Sequence, residues 1–453
     1  MRKITMLFFG MCSLIATAQN SIQNEIQSRL IDLHEVEYND ENFAGFEQIK
    51  NEIRDAQIVM LGEQSHTEAT TFESKIKLIK YLHQEMDFDI LAFESNIYEC
   101  NKAWSMIEEG YDVKETMGRG IFGIWSVVDE LNPLFQYMDF MKDQEKPLML
   151  AGFDPQFMGK LAATHFKEDL TSFLSTFVEV DAYRKDIQKL DAFVSGGRKG
   201  MKLKKKKARE LIASIQKLKE LIEDNKEIDS SGMWIQTLKS FEVFVSDTNL
   251  KTNDRDKQMA DNLIWLKEKY PEKKIVCWGA TSHFLYNSSE IQLENKVLQK
   301  LAGDYYHKTV MMGDIIKEKY GDDVYTIGFI THEGTYGYNK SVEIKLPSEN
   351  SLEYLIGLSD NDNYFLPLNN LPLEGLMSRP LAHHYMKNDI SQVMDGVVFN
   401  RYNRRPYTDW DFLKQIFPEN KVSAKKLERL KLNVELHKQI REKSREKDVL
   451  EKA

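Results

Sequence analysis

The stretch from Ile58 to Asn96 constrains the fold of this chain more than any other. It begins with the apolar run 58–61, passes through a polar turn into a segment with helically spaced apolar residues, and ends on a second apolar run at 90–93. Two buried runs joined by a helix are typical of a βαβ unit, in which the two strands are parallel. The stretch therefore predicts an α/β protein with a mostly parallel central sheet flanked by helices.

Ionisable residues follow both predicted strands of this unit. Glu63 and His66 stand in the turn after the first strand, and Glu94 ends the second. Because parallel strands end at the same edge of a sheet, where open α/β folds place their sites, we expect these side chains to share one crevice. An imidazole held by a carboxylate can take a proton from water near neutral pH, which suits a general base. The same spacing also fits a purely structural hydrogen bond.

Three further apolar runs extend the predicted sheet. The run 147–154 ends at Asp154, the run 274–278 leads into a turn that carries His283, and a third run covers 324–330. Asp154 is either an acceptor in the site or a cap of its strand. The turn with His283 places a second imidazole after a buried strand, at the edge where we expect the first.

The amino-acid composition changes several times along the 453-residue chain, and the chain is longer than a domain with a single hydrophobic core usually is. Lysine and glutamate dominate a long strand-free region that reads as helical, and the α/β pattern resumes after it. We therefore divide the chain into a signal peptide at 1–18, the first part of an α/β domain at 19–158, a helical insertion at 159–250, the second part of the domain at 251–335, a smaller α+β portion at 336–420 and a charged helical tail at 421–453.

The amino terminus has the pattern of a secretory signal. Two basic residues precede the apolar run 6–15, and the small residues 16–18 supply a cleavage site, so the mature chain would begin near Gln19. The sequence thus predicts export to the periplasm or the medium. A lipoprotein is not expected, because Met11 is too large for the position before a lipidated Cys12. No later stretch approaches the length of a membrane span, so no integral membrane segment is expected after signal removal.

Charge and cysteine content narrow the partners. A formal net charge of -10 argues against a nucleic-acid or anionic-lipid partner. The basic run 202–207 is typical of a solvated helix face, and the other interpretation makes it a docking surface for a polysaccharide or a protein. Without the signal, Cys100 and Cys277 remain. They could form one disulfide, but the apolar surroundings of Cys277 favour a core position.

Read together, several segments resemble the erythromycin esterase family, in the family's order and over residues 45–400. The matching motifs are Leu61-Gly62-Glu63-Gln64-Ser65-His66, Ala92-Phe93-Glu94-Ser95, Gly152-Phe153-Asp154, Arg255-Asp256 with Met259-Ala260 and Asn262, Trp278 to His283, Met312-Gly313, and Gly328-Phe329 through Glu333-Gly334.

The resemblance implies a hydrolase that opens an ester or lactone of a small molecule by activating water directly, without a covalent serine intermediate and without a cofactor. His66 would be the general base, with Glu63 and Glu94 as its orienting or charge-balancing partners. His283 would be the histidine of the far wall. Lys75, where the family usually has an arginine, would be the cation that stabilises developing negative charge.

The sequence departs from the family pattern at two positions. The family motif commonly reads Trp-Ala-His-Asn-x-His, but Ala280 stands here in place of its first histidine. Lys75 preserves the charge of the family arginine without its planar fork. These departures support a second hypothesis, a non-catalytic relative whose crevice binds a small molecule or a metal. His332, which follows the last buried run, could supply a substitute imidazole.

A metal site would replace bare acid–base chemistry. Glu63, His66, Glu94 and His283 form a reasonable ligand set for zinc, which would activate water by lowering its pKa. The resemblance favours the metal-free site.

Ser65 and the pair of histidines at 383 and 384 carry functional groups that could also do chemistry. Ser65 lies beside the histidine of the turn, but no G-x-S-x-G elbow surrounds it, which disfavours a serine nucleophile. His383 and His384 could be a metal pair, although adjacent side chains diverge in most backbones and a surface turn is favoured.

Overall fold

The computed structural model describes residues 21–36, 42–300, 304–338, 340–418, 426–436 and 438–439. The predicted signal peptide at 1–18 and most of the predicted tail lie outside the described residues. The described strands, in chain order, are β1 (Ile31–Asp32), β2 (Ile58–Glu63), β3 (Ile90–Asn96), β4 (Met149–Asp154), β5 (Ile275–Ala280), β6 (Val324–Tyr336), β7 (Val342–Ile344), β8 (Asn363–Pro367), β9 (Ser378–Leu381), β10 (His384–Met386) and β11 (Gly396–Asn403).

Helices fill most of the segments between the strands. In chain order they are α1 (21–29), α2 (Phe46–Ile53), α3 (Ala69–Met86), α4 (Ile97–Glu108), α5 (Val113–Gly120), α6 (Gly123–Ser126), α7 (Asn132–Met141), α8 (Leu161–Ser175), α9 (Arg184–Ser195), α10 (Gly197–Gly200), α11 (Lys205–Glu223), α12 (Ser231–Asn249), α13 (Arg255–Lys269), α14 (Thr281–Phe284), α15 (Lys296–Leu298), α16 (Asp304–Lys308), α17 (Met312–Tyr320), α18 (Leu352–Gly357), α19 (Trp410–Ile416) and α20 (426–436).

Within the described residues, nine strands form one sheet in the order β1-β8-β11-β6-β2-β5-β3-β4, with β7 paired to β6. The six strands from β11 to β4 along this order run parallel to one another. The antiparallel pairs lie at β8, β1 and β7. The predicted mostly parallel α/β sheet is therefore confirmed, and the strands β8 and β11 from the carboxyl-terminal part complete it.

The strands read as continuous apolar runs because helices cover both faces of the sheet. In β2, Val59 and Leu61 face the core that contains α3, whereas Ile58 and Met60 face the core that contains α13. All four side chains are fully buried. The alternation of side chains along a strand thus feeds two cores at once, and it fixes the register that brings the strand ends together.

A separate core holds the helical region between β4 and α13. Its buried side chains include Phe166, Leu190, Leu218 and Phe241, each from a different helix. Every regular element described between 161 and 249 is helical. The region stands beside the carboxyl ends of the parallel strands and helps to enclose the space there; the division of the chain into six segments stays a prediction.

Two features bear on expectations about the cysteines and the membrane. Cys100 and Cys277 are buried and free, so the structure places both in apolar cores and does not pair them. None of the described helices combines the length and the apolar character needed to cross a bilayer.

Candidate active site

A cleft of about 1050 Å³ opens at the carboxyl ends of the parallel strands. His66, Glu94 and His283 line one side of it, and helices α8 to α10 and residues after α19 line the other. A smaller cavity of about 470 Å³ lies at the opposite, amino ends of the strands, beside Arg54 and Tyr325. The larger cleft is the one that contains the predicted chemistry.

His66 is held by Glu63 in the turn after β2. Its Nδ1 lies 2.6 Å from Oε1 of the fully buried Glu63 carboxylate, while 36% of the His66 side chain remains exposed. The indole Nε1 of Trp125 donates to the same carboxylate oxygen at 2.9 Å. A carboxylate at Nδ1 favours the tautomer with its proton there, which leaves Nε2 of His66 as the basic nitrogen.

Opposing influences set the pKa of His66. Burial is the largest of them and lowers the pKa, but the hydrogen bond to Glu63 and the negative charges of Glu94 and Glu63 raise it above its ordinary value of 6.5. Positive charge on His283 acts in the opposite direction. The imidazole therefore titrates at the alkaline side of the usual range for histidine.

Lys75 lies behind this pair and does not line the cleft. It is fully buried, and its Nζ donates to Oε2 of Glu63 at 2.9 Å and to the carbonyl oxygen of Gly279 at 3.1 Å. Burial, the largest influence, lowers the pKa of the ammonium group against the attraction of Glu63. The expectation that Lys75 stabilises negative charge developing on the substrate is therefore corrected: its ammonium group neutralises Glu63 instead, because the side chain lies in the core against the ring of Trp278.

Arg255 does line the cleft, as does Lys160 on another part of its wall. It begins helix α13 and donates to Oε1 of Glu94 at 2.8 Å and to both oxygens of Asp154. Its NH1 lies 3.4 Å from Nε2 of His283. Asp154 also accepts the backbone N–H of Gln156 at 2.8 Å, so this carboxylate both caps its strand and holds the arginine in the site.

Glu94 lies between the two imidazoles. Its Oε1 is 3.4 Å from Nε2 of His283, and its Oε2 accepts the backbone N–H of Ala280 at 2.8 Å. Burial, the largest single influence, acts to raise the pKa of Glu94. The opposing charges of both imidazoles and of Arg255, together with the Ala280 N–H, nevertheless lower it to about 2, so the group is a carboxylate throughout the physiological range.

His283 is the second imidazole held by a carboxylate. Its Nδ1 lies 2.7 Å from Oδ1 of Asp256, whose other oxygen accepts the hydroxyl of Tyr305 at 3.1 Å. Burial, the largest influence, lowers the pKa of His283, but Asp256 and Glu94 raise it above 6.5. This wall of the cleft therefore favours the protonated imidazole.

Of the five predicted site residues, His66, Glu94 and His283 line the same cleft, Glu63 lies directly behind the first, and Lys75 lies deeper still. Sequence reasoning assigned no role to three residues that complete the arrangement, which are Trp125, Arg255 and Asp256. The signal for the last two was their position at the start of a helix within a matching motif, since such residues reach the carboxyl edge of a sheet. Trp125 carried no comparable signal.

His332, His383 and His384 do not line the cleft. His332 lies on β6 against the ring of Phe399 and is not among the residues that line the cleft. His383 and His384 diverge, as expected of a turn: the side chain of His383 is buried next to Glu68, and His384 is exposed. Neither arrangement replaces the histidine that the family motif carries at Ala280, whose methyl group faces the cleft.

The geometry favours neither a zinc site nor a serine nucleophile. Within the described ranges, no group of three or more His, Cys, Asp or Glu residues is arranged to hold a metal ion. The carboxylates of Glu63 and Glu94 are already neutralised by ion pairs with Lys75 and Arg255, respectively. The Ser65 hydroxyl lies 2.9 Å from that of Thr67, and the adjacent imidazole uses Nδ1 for Glu63.

Several known proteins resemble this chain in sequence. A family model described as erythromycin esterase matches residues 83–403. A Bacillus subtilis (strain 168) protein, YbfO, whose name assigns it provisionally to the hydrolases, is 28% identical over 348 residues, which are 70% of this chain and 75% of the relative. Erythromycin esterase type II of Escherichia coli is 22% identical over 404 residues, which are 79% of this chain and 92% of the relative.

A solved structure shares the fold. The crystal structure of a succinoglycan biosynthesis protein superposes with a TM-score of 0.70 at 20% identity, and the match covers 86% of this chain and 98% of that one. At this identity the likeness concerns the arrangement of the sheet and its helices.

Proposed function

Because the chain belongs to the erythromycin esterase family, we propose that it is a hydrolase that cleaves an ester or lactone of a small molecule with water activated by His66. The family and the names of both relatives support the hydrolase class. The macrolide in the name of the Escherichia coli relative belongs to that protein, since a shared fold does not transfer a substrate.

One observation carries the proposal. A histidine with Nδ1 fixed 2.6 Å from a buried carboxylate, and with more than a third of its side chain exposed, lines a cleft large enough for a small-molecule substrate. This is the arrangement that a general base needs, because the carboxylate orients the ring and stabilises the imidazolium that forms.

The reaction follows from the placement of these groups. Nε2 of His66 removes a proton from water as the water oxygen forms a bond to the carbonyl carbon, and the negative charge moves to the carbonyl oxygen. The positive charges of Arg255 and protonated His283, which line the same cleft, favour this oxyanion. When the carbonyl re-forms, the bond to the leaving oxygen breaks, and His283 supplies its proton. The products are a carboxylic acid and an alcohol, joined in one molecule if the substrate is a lactone.

The experiment is a hydrolysis panel of aryl esters, lactones and macrolides with the mature protein. His66→Ala should lower kcat/KM by about 10³-fold, since general-base catalysis contributes 10²–10⁴-fold. Ser65→Ala is the matched control, because it changes the next residue of the same turn, and it should stay within about 3-fold of the native rate if no serine nucleophile operates. Equal rates for the native protein and His66→Ala would refute the proposal.

A second candidate function is favoured by Ala280. Its small side chain faces the cleft at the position where the family motif has a histidine, which supports a relative that binds a small molecule without turnover. Calorimetric titration with each compound of the panel separates the two functions. Binding in the absence of any hydrolysis product would favour this second one.

We also propose that the protein is exported, on the basis of the basic, apolar and small residues that open the chain. Expression in a bacterial host tests this. Mass spectrometry of the periplasmic fraction should find a chain that begins near Gln19, whereas an intact Met1 in the cytoplasm would contradict export.

A further inference from the structure

The turn that carries His66 is held by a hairpin that is distant in sequence. The hairpin consists of β9 and β10, and its tip contacts the turn 64–68. We propose that His383, at the tip of this hairpin, is a positioning residue for His66: it anchors the turn and thereby fixes the imidazole on Glu63. This inference rests on the proposed function of His66 as the base.

A buried contact between two side chains joins the tip of the hairpin to the turn. Nε2 of His383 lies 2.6 Å from Oε1 of Glu68, with Glu68 fully buried and only 8% of the His383 side chain exposed. The two atoms are in close contact without forming an aligned hydrogen bond. The His383 ring also packs on Tyr336, with ring centroids 4.7 Å apart. The imidazole is thus fixed between a carboxylate of the turn and the end of β6.

Two hydrogen bonds hold the other end of the same turn. The backbone N–H of Ala382 donates to the carbonyl oxygen of Gln64 at 3.0 Å, and the Gln64 side chain donates to the carbonyl oxygen of Arg379 at 2.7 Å. The hairpin therefore grips the turn at Gln64 and at Glu68, the residues that flank the segment with the base.

The backbone of the hairpin tip directs the His383 side chain. Ala382 and His383 both adopt left-handed conformations, with φ of 48° and 60°. A two-residue loop between antiparallel strands favours positive φ at both of its residues, so the turn of the hairpin accounts for these conformations. Here they turn the His383 side chain inward to Glu68, while the next residue, His384, returns to solvent.

The position of His66 depends on this turn, because the imidazole must keep Nδ1 on Glu63 while Nε2 faces the cleft. A displacement of about 1 Å between catalytic groups can lower a rate by about 10²-fold. Glu63 is fixed independently by Lys75 and Trp125. The turn is held outside β2 and α3 by the hairpin and by Gly337, whose backbone N–H lies 3.3 Å from the carbonyl oxygen of Thr67 and 3.0 Å from its hydroxyl. The hairpin is the contact that reaches both Gln64 and Glu68.

His383→Gln tests the role, and His384→Gln is the matched control from the same hairpin. We expect His383→Gln to lower kcat by about 10-fold or more, with KM within about 2-fold of native, because the substrate still binds while the base is displaced. His384→Gln should leave both constants within about 2-fold. An unchanged kcat in His383→Gln would overturn the inference.

Double variants separate positioning from general loss of structure. If His383 acts through His66, His383→Gln should cause no further loss in the His66→Ala background, since effects of residues that act as a unit do not add. Glu68→Gln probes the pair from the turn, and its combination with His383→Gln should lose no more than the larger single loss. Additive losses in either cycle would assign His383 a merely structural role.

A readout without catalysis keeps this inference distinct from the proposed function. In full-length protein labelled on histidine, the His66 ring signal is identified by its loss in His66→Ala and titrated by NMR. Glu63, Glu94, His283 and the Trp125 edge face this ring. Loosening the turn should return the His66 pKa towards 6.5 in His383→Gln and leave it raised in His384→Gln. An unshifted His66 pKa refutes the positioning role, whether or not a substrate is found.

Discussion

Two imidazole–carboxylate pairs lie at the cleft, and they differ in access rather than in composition. His66 lies 2.6 Å from Glu63 and keeps 36% of its side chain exposed, whereas His283 lies 2.7 Å from Asp256 and keeps 11%. The pKa of each imidazole is raised above 6.5. The difference teaches that the same pair can serve as a base where water reaches it and as an acid where it is enclosed.

The charges behind the two pairs also differ. Glu63 is backed by the buried ammonium of Lys75, with Nζ 2.9 Å from Oε2. Asp256 is instead bonded by the neutral hydroxyl of Tyr305 and by the Met312 N–H. The first carboxylate is therefore compensated by a lysine bonded directly to it, and the second relies on dipoles, on its own imidazole and on the nearby charge of Arg255. Removing support should consequently harm the first pair more.

Lys75→Met should have the largest effect of the substitutions that distinguish the two pairs. It leaves the Glu63 carboxylate fully buried without its cation, and removal of one partner from a buried ion pair costs about 3–5 kcal/mol. The free energy of unfolding, measured by urea denaturation, should fall by this amount. Lys80→Met, a half-buried lysine on the same helix, is the control, and it should cost about 0.5–1 kcal/mol because it loses a cation–π contact with Tyr137. Equal losses would contradict a special role for the buried lysine.

Substitution of the carboxylate in each pair shows which imidazole contributes more to kcat/KM. Glu63→Gln should lower kcat/KM by on the order of 10²-fold, because the base loses its tautomer control and the stabilisation of its imidazolium. Asp256→Asn should cost about 10-fold, since Glu94 still attracts the proton of His283. A larger loss for Asp256→Asn would reverse the assigned roles of base and acid.

The pH dependence of kcat/KM separates the imidazoles further. His66 must be neutral to accept a proton, so the rate should rise as the pH rises through its pKa, above 6.5. His283 must be protonated to donate, so the rate should fall as the pH rises through its own raised pKa. The native profile should be bell-shaped, and His283→Asn should retain only the ascending limb. A descending limb in that variant would assign the acid to another group.

Trp125→Phe should give the smallest effect, a further rise in the pKa of His66 in the His66–Glu63 pair. It removes the indole N–H that shares the Glu63 oxygen with His66, so negative charge concentrates on the contact with the imidazole and raises the His66 pKa further. The ascending limb should move to higher pH by less than one unit, since a hydrogen bond contributes about 1 kcal/mol. Trp234→Phe, in the core of the helical region, should leave the limb in place; a shift there would indicate a general effect of losing a tryptophan.

The sequence sufficed for features that depend on local patterns. Continuous apolar runs predicted the parallel strands, because buried strands leave that signature, and the strand ends predicted that Glu63, His66 and Glu94 would lie at one edge. The role that the family resemblance implied for Lys75, stabilising charge that develops on the substrate, was wrong, since a motif position does not tell whether a side chain reaches the cleft or is buried behind it.

Other features depend on contacts that no local pattern contains. Arg255 reaches Glu94 across 161 positions of sequence, and Trp125 reaches Glu63 across 62. The pairing of His383 with Glu68 requires two left-handed residues at a hairpin tip, and nothing in the run Ala382-His383-His384 announces them. Such residues become visible only when the chain is folded.

The position of β5 in the sheet has a consequence for the order in which the protein becomes active. Although β2 and β3 are consecutive in sequence, β5 lies between them and pairs with both. During synthesis, β2 and β3 therefore leave the ribosome long before β5, the strand that joins them. The part of the site that contains His66 cannot be completed until residues 275–283 have been synthesised. A nascent chain that stops before this point has a gap through the middle of its sheet, so hydrolysis should begin only after the central strand is inserted.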